Sequence, residues 1–81
     1  MNAKLNGVRL FPNPVKDILH LEGLSSSLKT VSVIDASGKI LKQTTTPNTS
    51  YSVNVKQLSA GAYFVRIDEG SKTWTTKFIK H

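Results

Sequence analysis

The sequence contains no cysteine among its 81 residues. This absence excludes a disulfide framework, a thiolate metal site and a cysteine nucleophile. The chain also lacks any run of about 20 apolar residues, the length that a membrane-spanning helix needs, and residues 1–7 lack the apolar core of a signal peptide. We therefore expect no direct membrane insertion. If the domain works outside the cell, another segment must carry it through the inner membrane.

Side chains that carry acid–base chemistry are scarce, with two histidines and five acidic residues in the whole chain. Asp17 and His20 form the nearest acid–imidazole pair, but their odd separation in a strand points them to opposite faces. Asp68 and Glu69 diverge for the same reason and cannot act as paired carboxylates. The serines at 25–27 have no neighbouring base to activate them. The sequence thus predicts a non-enzymatic protein without a catalytic residue, a cofactor or a metal site.

Charge of one sign dominates, and the formal net charge is +6. Nine of the eleven basic residues are lysines, and they are spread along the chain at Lys4, Lys16, Lys29, Lys39, Lys42, Lys56, Lys72, Lys77 and Lys80. Dispersed lysine is typical of a solvated surface, whereas a nucleic-acid site usually clusters Arg and Lys beside stacking aromatic residues. We expect no nucleic-acid partner.

Apolar residues recur at every second position in short runs separated by Gly, Pro, Asn and Ser, which is the pattern of β-strands. Seven strands are predicted, at residues 8–11, 17–22, 29–35, 39–45, 51–55, 62–68 and 73–80. A chain of this length forms one domain, and about seven short, mostly antiparallel strands with regular turn signals predict a β-sandwich. The fold class is therefore all-β.

The register of one predicted hairpin follows from a three-residue loop at 36–38. This loop ends in glycine, which readily adopts the left-handed conformation that such a closure needs. Pairing Asp35 with Lys39 places Val33 opposite Leu41.

A second hairpin is predicted to turn at Gly70-Ser71, which suits a type II′ turn. Counting outward from Glu69 opposite Lys72 gives three pairs on one face, namely Ile67 with Trp74, Val65 with Thr76 and Tyr63 with Phe78. We expect this face to be buried, since a slip of one residue would turn Arg66 and Lys77 inward. The other face is mixed enough to be solvated or to contact a partner, and it carries Phe64, Arg66, Asp68, Thr73, Thr75, Lys77 and Ile79.

Several local motifs occur in a fixed order. Phe11-Pro12-Asn13-Pro14 ends the first predicted strand, because proline fixes φ and removes a backbone donor. Asp35 and Gly38-Lys39 follow near the middle of the chain. The spacing of Leu58, Gly61 and Tyr63 then matches the tyrosine corner of immunoglobulin-like sandwiches. The chain closes on Lys77-Phe78-Ile79-Lys80.

In this order and spacing, the motifs resemble the C-terminal sorting domain of proteins exported by the type IX (Por) secretion system of Bacteroidetes. The resemblance extends from about Val8 to Lys80 and implies a small immunoglobulin-like β-sandwich. It also implies a non-catalytic signal that directs an attached cargo from the periplasm across the outer membrane to the cell surface or the medium. The implied partners are the type IX translocon, shuttle proteins, and a sortase-like cysteine protease that removes the domain.

By position, the resemblance suggests nine recognition residues: Pro12, Asn13, Pro14, Gly38, Lys39, Gly61, Tyr63, Lys77 and Lys80. Most of them are explained by turns and by the corner, whereas Lys77 and Lys80 are expected to be outward or terminal charges on the last strand. Phe11 stands where the family often has tyrosine.

The ends of the chain carry two further expectations. Residues 1–81 are expected to form a single sorting domain excised from a larger secreted protein, with residues 1–7 as a linker remnant. His81 follows the lysine at which such domains commonly stop, so it is either native or part of a purification tag. The oligomeric state is left open.

An adhesion or carbohydrate-binding sandwich is the alternative function. An exposed row of aromatic side chains would favour it, because sugars stack on aromatic rings. Trp74, Tyr51 and Phe64 are the candidates for such a row, although the register of the second hairpin places Trp74 in the core.

Overall fold

The fold is described by a computed structural model that covers residues 3–5 and 7–81, with side chains from residue 7 onward. Eight strands are present in these residues: β1 (Ala3–Leu5), β2 (Val8–Phe11), β3 (Ile18–Glu22), β4 (Lys29–Asp35), β5 (Ile40–Thr46), β6 (Ser50–Asn54), β7 (Gly61–Glu69) and β8 (Lys72–Lys80). All seven predicted strands are present. Strand β1 lies within the segment that we expected to be a linker and pairs with β2.

The strands form two four-stranded sheets, with the orders β1-β2-β3-β6 and β5-β4-β7-β8. Every pairing of neighbouring strands within them is antiparallel. The prediction of an all-β sandwich is therefore confirmed. Within the described residues, no helix is long and apolar enough to cross a membrane.

Alternate side chains of both sheets fill a single core between them. The first sheet contributes Val8, Leu10, Leu19, Leu21 and Val53, and the second contributes Val31, Val33, Tyr63, Val65, Ile67 and Phe78. Leu10, Leu19, Leu21, Val65 and Phe78 have no exposed surface. This alternation is the period-2 pattern of the sequence, in which one face of each strand is buried.

The β7–β8 hairpin has the predicted register. Glu69 lies opposite Lys72, Ile67 opposite Trp74, and Tyr63 opposite Phe78. Gly70 has a φ of 59°, which is the left-handed conformation that glycine adopts without a steric penalty. Ile67 and Phe78 are buried and Trp74 packs against the core at its margin, so the predicted inner face is confirmed.

The β4–β5 hairpin closes as predicted but continues in a different register. The Asp35 N–H donates to the Lys39 carbonyl at 2.9 Å, and Gly38 has a φ of 91°. A β-bulge between Val33 and Ile34 then shifts the pairing, so that Val33 lies opposite Lys42 and not opposite Leu41. The predicted Val33–Leu41 pair is wrong because the bulge adds one unpaired residue to β5.

Lys29 departs from the expectation that the lysines lie on a solvated surface. Its side chain is only 2% exposed. Its ammonium donates to the carbonyl oxygens of Ser25, Ser27 and Thr46 at 2.7, 3.0 and 3.2 Å. These three acceptors compensate for the loss of water that burial of a charge requires.

Candidate functional site

Motifs that are far apart in the sequence meet at one end of the sandwich. Asp35, at the end of β4, pairs with Tyr63 near the start of β7. Gly61, at the start of β7, pairs with Lys80 at the end of β8. The segment that follows β2 reaches the same place, because Val15 bridges to Lys80. We call this end, with the turns 12–15, 35–39 and 58–61 and the end of β8, the motif end.

The Pro12-Asn13-Pro14 turn anchors the last strand. The Asn13 side-chain oxygen Oδ1 accepts a hydrogen bond from the Ile79 N–H at 2.9 Å. Val15 continues the contact by donating its N–H to the Ile79 carbonyl and accepting from the His81 N–H, both at 2.8 Å. The two prolines themselves are exposed. Asn13 therefore performs the role of a strand partner for β8, which the sequence did not reveal.

Tyr63 forms a corner of the kind that its spacing predicted. Its hydroxyl donates to the Ser59 carbonyl oxygen at 2.7 Å, and its ring stacks on Phe78 with a centroid distance of 5.7 Å. Gly61 has a φ of 151°, in the region that favours glycine. The hydrogen bond closes the 59–63 segment on itself, and the ring packing joins this segment to the last strand.

Asp35 organises the turn that presents Lys39. One carboxylate oxygen accepts hydrogen bonds from the Ser37 hydroxyl at 2.6 Å, the Ser37 N–H at 2.9 Å and the Lys39 N–H at 3.0 Å. The bond from the Ser37 hydroxyl is the largest cause that lowers the pKa of Asp35 below its ordinary value of 3.8, followed by the bond from the Lys39 N–H. The Lys39 side chain is exposed at the edge of this turn.

Lys77 and Lys80 differ in their surroundings. Lys77 is exposed on the outer face of its sheet, opposite Phe64. Lys80 is only 7% exposed and its ammonium donates to the His81 carbonyl oxygen at 2.8 Å. Of the two expected placements, outward or terminal, Lys80 has the terminal one, at the last position of β8. It does not point outward, because residues 78 and 80 point to the same face of a strand and Phe78 is in the core.

The outer face of the β5-β4-β7-β8 sheet has an apolar half and a polar half. The apolar half lies at the motif end, and we call its side chains the outer patch: Ile34, Ile40, Ala62, Phe64 and Ile79. The polar half includes the ion pair between Arg66 and Asp68 at 3.0 Å. The sequence placed Phe64 and Ile79 on this face but did not reveal Ile34 and Ile40 beside them.

The outer face of the other sheet carries the histidine that sequence reasoning excluded as a base. His20 stacks on Phe11 with a centroid distance of 5.4 Å, and its Nδ1 lies 2.9 Å from the Ser52 hydroxyl. Arg9 lies over the Phe11 ring and pairs with Glu22. These contacts are internal to one sheet face and give no catalytic dyad.

Aromatic side chains do not form an exposed row. Tyr51 and Trp74 pack against the core, whereas Phe11 and Phe64 lie half-buried on the outer faces of different sheets. A small cavity of about 160 Å³ opens beside Trp74 at the end opposite the motif end. Among residues 3–5 and 7–81, no group of three or more His, Asp or Glu side chains is arranged to hold a metal ion.

Comparison with known proteins shows one family match and similar solved structures. Residues 9–81 match the family described as the secretion system C-terminal sorting domain. No curated protein matches the chain in sequence.

The chain is similar in structure to part of PorZ, described as an essential bacterial surface component of the type IX secretion system of Porphyromonas gingivalis. The TM-score is 0.85 at 24% identity, over 94% of this chain and 12% of that one. The chain thus spans about an eighth of the PorZ chain. A DUF3244 family protein from Bacteroides vulgatus, described as an immunoglobulin-like β-sandwich, aligns over 99% of this chain and 97% of its own. The TM-score there is 0.80 at 18% identity. At these identities the likenesses show the fold alone, an immunoglobulin-like β-sandwich.

Proposed function

The chain belongs to the family of secretion system C-terminal sorting domains, and from that premise we propose that its motif end is the part that the export machinery reads. The family assigns the chain a sorting role in type IX secretion, and with it a place in proteins that are secreted or displayed on the surface of Bacteroidetes cells. The proposed route runs through the periplasm and the outer-membrane translocon, with shuttle proteins and a sortase-like cysteine protease as further partners. The protease, and not this chain, would supply the catalytic residues of cleavage.

The observation that carries this proposal is the convergence of the motifs. Asn13 and Ile79 are 66 positions apart in the sequence and are joined by a hydrogen bond of 2.9 Å. The turn that presents Lys39 lies at the same end, because Asp35 pairs with Tyr63 and Tyr63 pairs with Phe78. A partner that contacts this end would therefore meet several motifs at once, and only in the folded domain.

The exposed residues at this end are the candidates for direct contact. Pro12, Pro14, Gly38, Lys39, Gly61 and Lys77 are exposed. Asn13 and Tyr63 act on the fold through the hydrogen bonds described above, and Lys80 is buried. We propose direct recognition at the exposed positions and a supporting role at the other three.

The test is a fusion in which residues 1–81 follow a signal peptide and a reporter protein in a Bacteroidetes host with a working type IX system. We expect the reporter at the cell surface or in the medium, and in the periplasm when the translocon gene is deleted. A reporter that stays in the periplasm of the intact host would contradict the proposal. The same reporter without residues 1–81 is the control for export by another route.

No observation favours the adhesion or carbohydrate-binding alternative. Sugar binding by stacking needs aromatic rings on one exposed face, and Phe11 and Phe64 lie on faces of different sheets. These two rings therefore cannot stack on one sugar ligand together.

A further inference from the structure

The outer patch is a continuous apolar surface that crosses four strands. Ile34 on β4 lies opposite Ile40 on β5 and opposite Phe64 on β7. Ala62 on β7 lies opposite Ile79 on β8, and Ile79 is diagonal to Phe64, a position at which side chains on one sheet face still touch. This surface faces away from the core, and no described element of the chain covers it.

The side chains of the outer patch are already packed together. Ile34 points outward and is nevertheless only 7% exposed, while Ile40 beside it is 43% exposed. Phe64 and Ile79 are half-buried. A partner that docks here would meet a formed surface and would lose little side-chain entropy in binding, which is typical of sites that bind without rearrangement.

Two exposed lysines border the outer patch. Lys39 precedes Ile40 at the turn, and Lys77 lies opposite Phe64, and both lysines are exposed. The nearest carboxylates are those of Asp35, which accepts hydrogen bonds within the same turn as Lys39, and of Asp68, whose charge is paired with Arg66. With two exposed lysines against the one unpaired carboxylate of Asp35, the border of the apolar surface has a net positive charge.

We propose that the outer patch docks a protein partner whose apolar side chains are bordered by carboxylates. The inference rests on the proposed sorting function, because the partner would be a component of the export machinery. Charge complementarity favours this occupant, since opposite charges at the rim of an interface steer association and fix orientation. A second copy of the chain is disfavoured, because it would bring Lys39 and Lys77 of two chains, each with a net charge of +6, against one another.

The test compares variants of the outer patch with matched variants elsewhere, all in the reporter fusion. Ile40→Thr combined with Phe64→Thr removes apolar surface, and Lys39→Glu combined with Lys77→Glu reverses the border charge. Ile18→Thr is the apolar control, since Ile18 begins β3 as Ile40 begins β5 and is 38% exposed. Lys16→Glu combined with Lys56→Glu is the charge control, at two exposed lysines.

We expect each outer-patch variant to reduce export at least about tenfold, as loss of a central interface contact does, while both controls are exported like the wild type. Melting curves of the isolated chains show whether each variant still folds, so that a loss of docking can be distinguished from a loss of folding. If the apolar variant does not fold, Ile40→Thr alone and the charge variant decide the question.

Export of the outer-patch variants at the wild-type level, with the wild type itself exported, would overturn this inference and leave the proposed sorting function intact. Retention of the wild type would overturn both. Sedimentation of the wild-type chain as a dimer that Ile40→Thr dissociates would show that the occupant is a second copy, and flotation of the chain with anionic vesicles that Ile40→Thr abolishes would show a lipid surface. Either result would overturn the inference that the outer patch docks a protein of the export machinery. Normal export of the charge variant alone would overturn the inference that carboxylates border the apolar side chains of the partner.

Discussion

At the scale of single residues, the Tyr63 side chain both donates a hydrogen bond and packs in the core. Its hydroxyl donates to Ser59 at 2.7 Å and its ring stacks on Phe78. Tyr63→Phe should cost about 0.5–1.5 kcal/mol, the usual net value of one hydrogen bond, and Tyr63→Ala should cost about 3–5 kcal/mol through the cavity. Urea melts measure both values.

Tyr51→Phe is the matched control for the hydroxyl, because Tyr51 is half-buried and its hydroxyl makes no hydrogen bond to any residue that the structure describes. It should change the free energy of unfolding by no more than about 0.5 kcal/mol. Equal and negligible losses for Tyr63→Phe and Tyr63→Ala would show that Tyr63 is not a structural corner.

Lys29 stabilises the loop at 23–28 from inside. Its ammonium is bonded to the carbonyl oxygens of Ser25, Ser27 and Thr46. Lys29→Met keeps much of the aliphatic volume but removes the donor, and the acceptors that remain without a partner should cost about 1–3 kcal/mol. Thermal melts should show a clear fall for Lys29→Met and almost none for Lys42→Met, at an exposed lysine. Equal melting temperatures of the two variants would contradict a stabilising role.

The burial of Lys29 could have been predicted from the sequence. Lys29, Val31 and Val33 alternate along one strand, so they share a face, and Val31 and Val33 are in the core. The same rule places Lys80 beside Phe78. We interpreted every lysine as a surface charge and did not take this alternation into account. The three carbonyl acceptors of Lys29 were not predictable, because two of them belong to an irregular loop and the third to another strand.

At the scale of elements, the end of β8 depends on the turn that follows β2. The Ile79 N–H has a side-chain partner, Asn13, where a strand in the middle of a sheet would have a backbone partner. Asn13→Ala should therefore cost about 0.5–1.5 kcal/mol and should selectively speed amide hydrogen exchange at Ile79. Asn13→Asp keeps an acceptor oxygen and should protect this amide better. Unchanged exchange at Ile79 in Asn13→Ala would contradict the anchoring role.

The 35–39 turn should contribute stability that depends on pH. Hydrogen bonds to the carboxylate lower the pKa of Asp35 in the folded state, first from Ser37 and then from Lys39. A carboxyl whose folded pKa is depressed stabilises the fold above its unfolded pKa, and this contribution is lost as pH falls through the folded pKa.

The measurement is the difference in melting temperature between the wild type and Asp35→Ala over a range of pH. We expect a constant difference at neutral pH, which narrows as the pH falls below the ordinary Asp35 value of 3.8. The pKa of Asp68 is also lowered, chiefly by the Thr73 hydroxyl, but Asp68 is present in both proteins and its effect cancels. A difference that stays constant into strong acid would show that the Asp35 charge does not stabilise the turn.

The two hairpins show how much of the strand register can be predicted from the residues of a turn. The turn at Gly70-Ser71 fixed the register of nine residue pairs from Gly61–Lys80 to Glu69–Lys72, because no irregularity interrupts these strands. The turn at 36–38 was also placed correctly, but the bulge beyond Ile34 was not, since an extra residue in β5 leaves no local sequence signal. The outer patch depends on the pairing of β4 with β7, a contact between distant segments that neither turn determines.

At the scale of the whole molecule, most of the positive charge is free to act on partners. Among the lysines from residue 7 onward, six are exposed, namely Lys16, Lys39, Lys42, Lys56, Lys72 and Lys77, whereas Lys29 and Lys80 are buried. Both exposed lysines of the recognition set, Lys39 and Lys77, border the outer patch. The charge that could serve recognition is therefore separate from the charge that supports the fold.

This separation makes Lys77 and Lys80 a matched pair for distinguishing recognition from folding. Lys77→Ala should change the free energy of unfolding by no more than about 0.5 kcal/mol, because its side chain is exposed. Lys80→Ala should cost about 1–2 kcal/mol, because the stem of a buried lysine packs like an aliphatic side chain. In a domain of about this size, each 1 kcal/mol lowers the melting temperature by about 4–8 °C, so thermal melts resolve the two variants.

If the machinery reads the charge on the last strand, Lys77→Ala should trap the reporter in the periplasm while its melting curve stays that of the wild type. Lys72→Ala, at the exposed start of the same strand, is the control and should affect neither. Normal export of Lys77→Ala would show that this lysine is a solvated charge without a role in sorting.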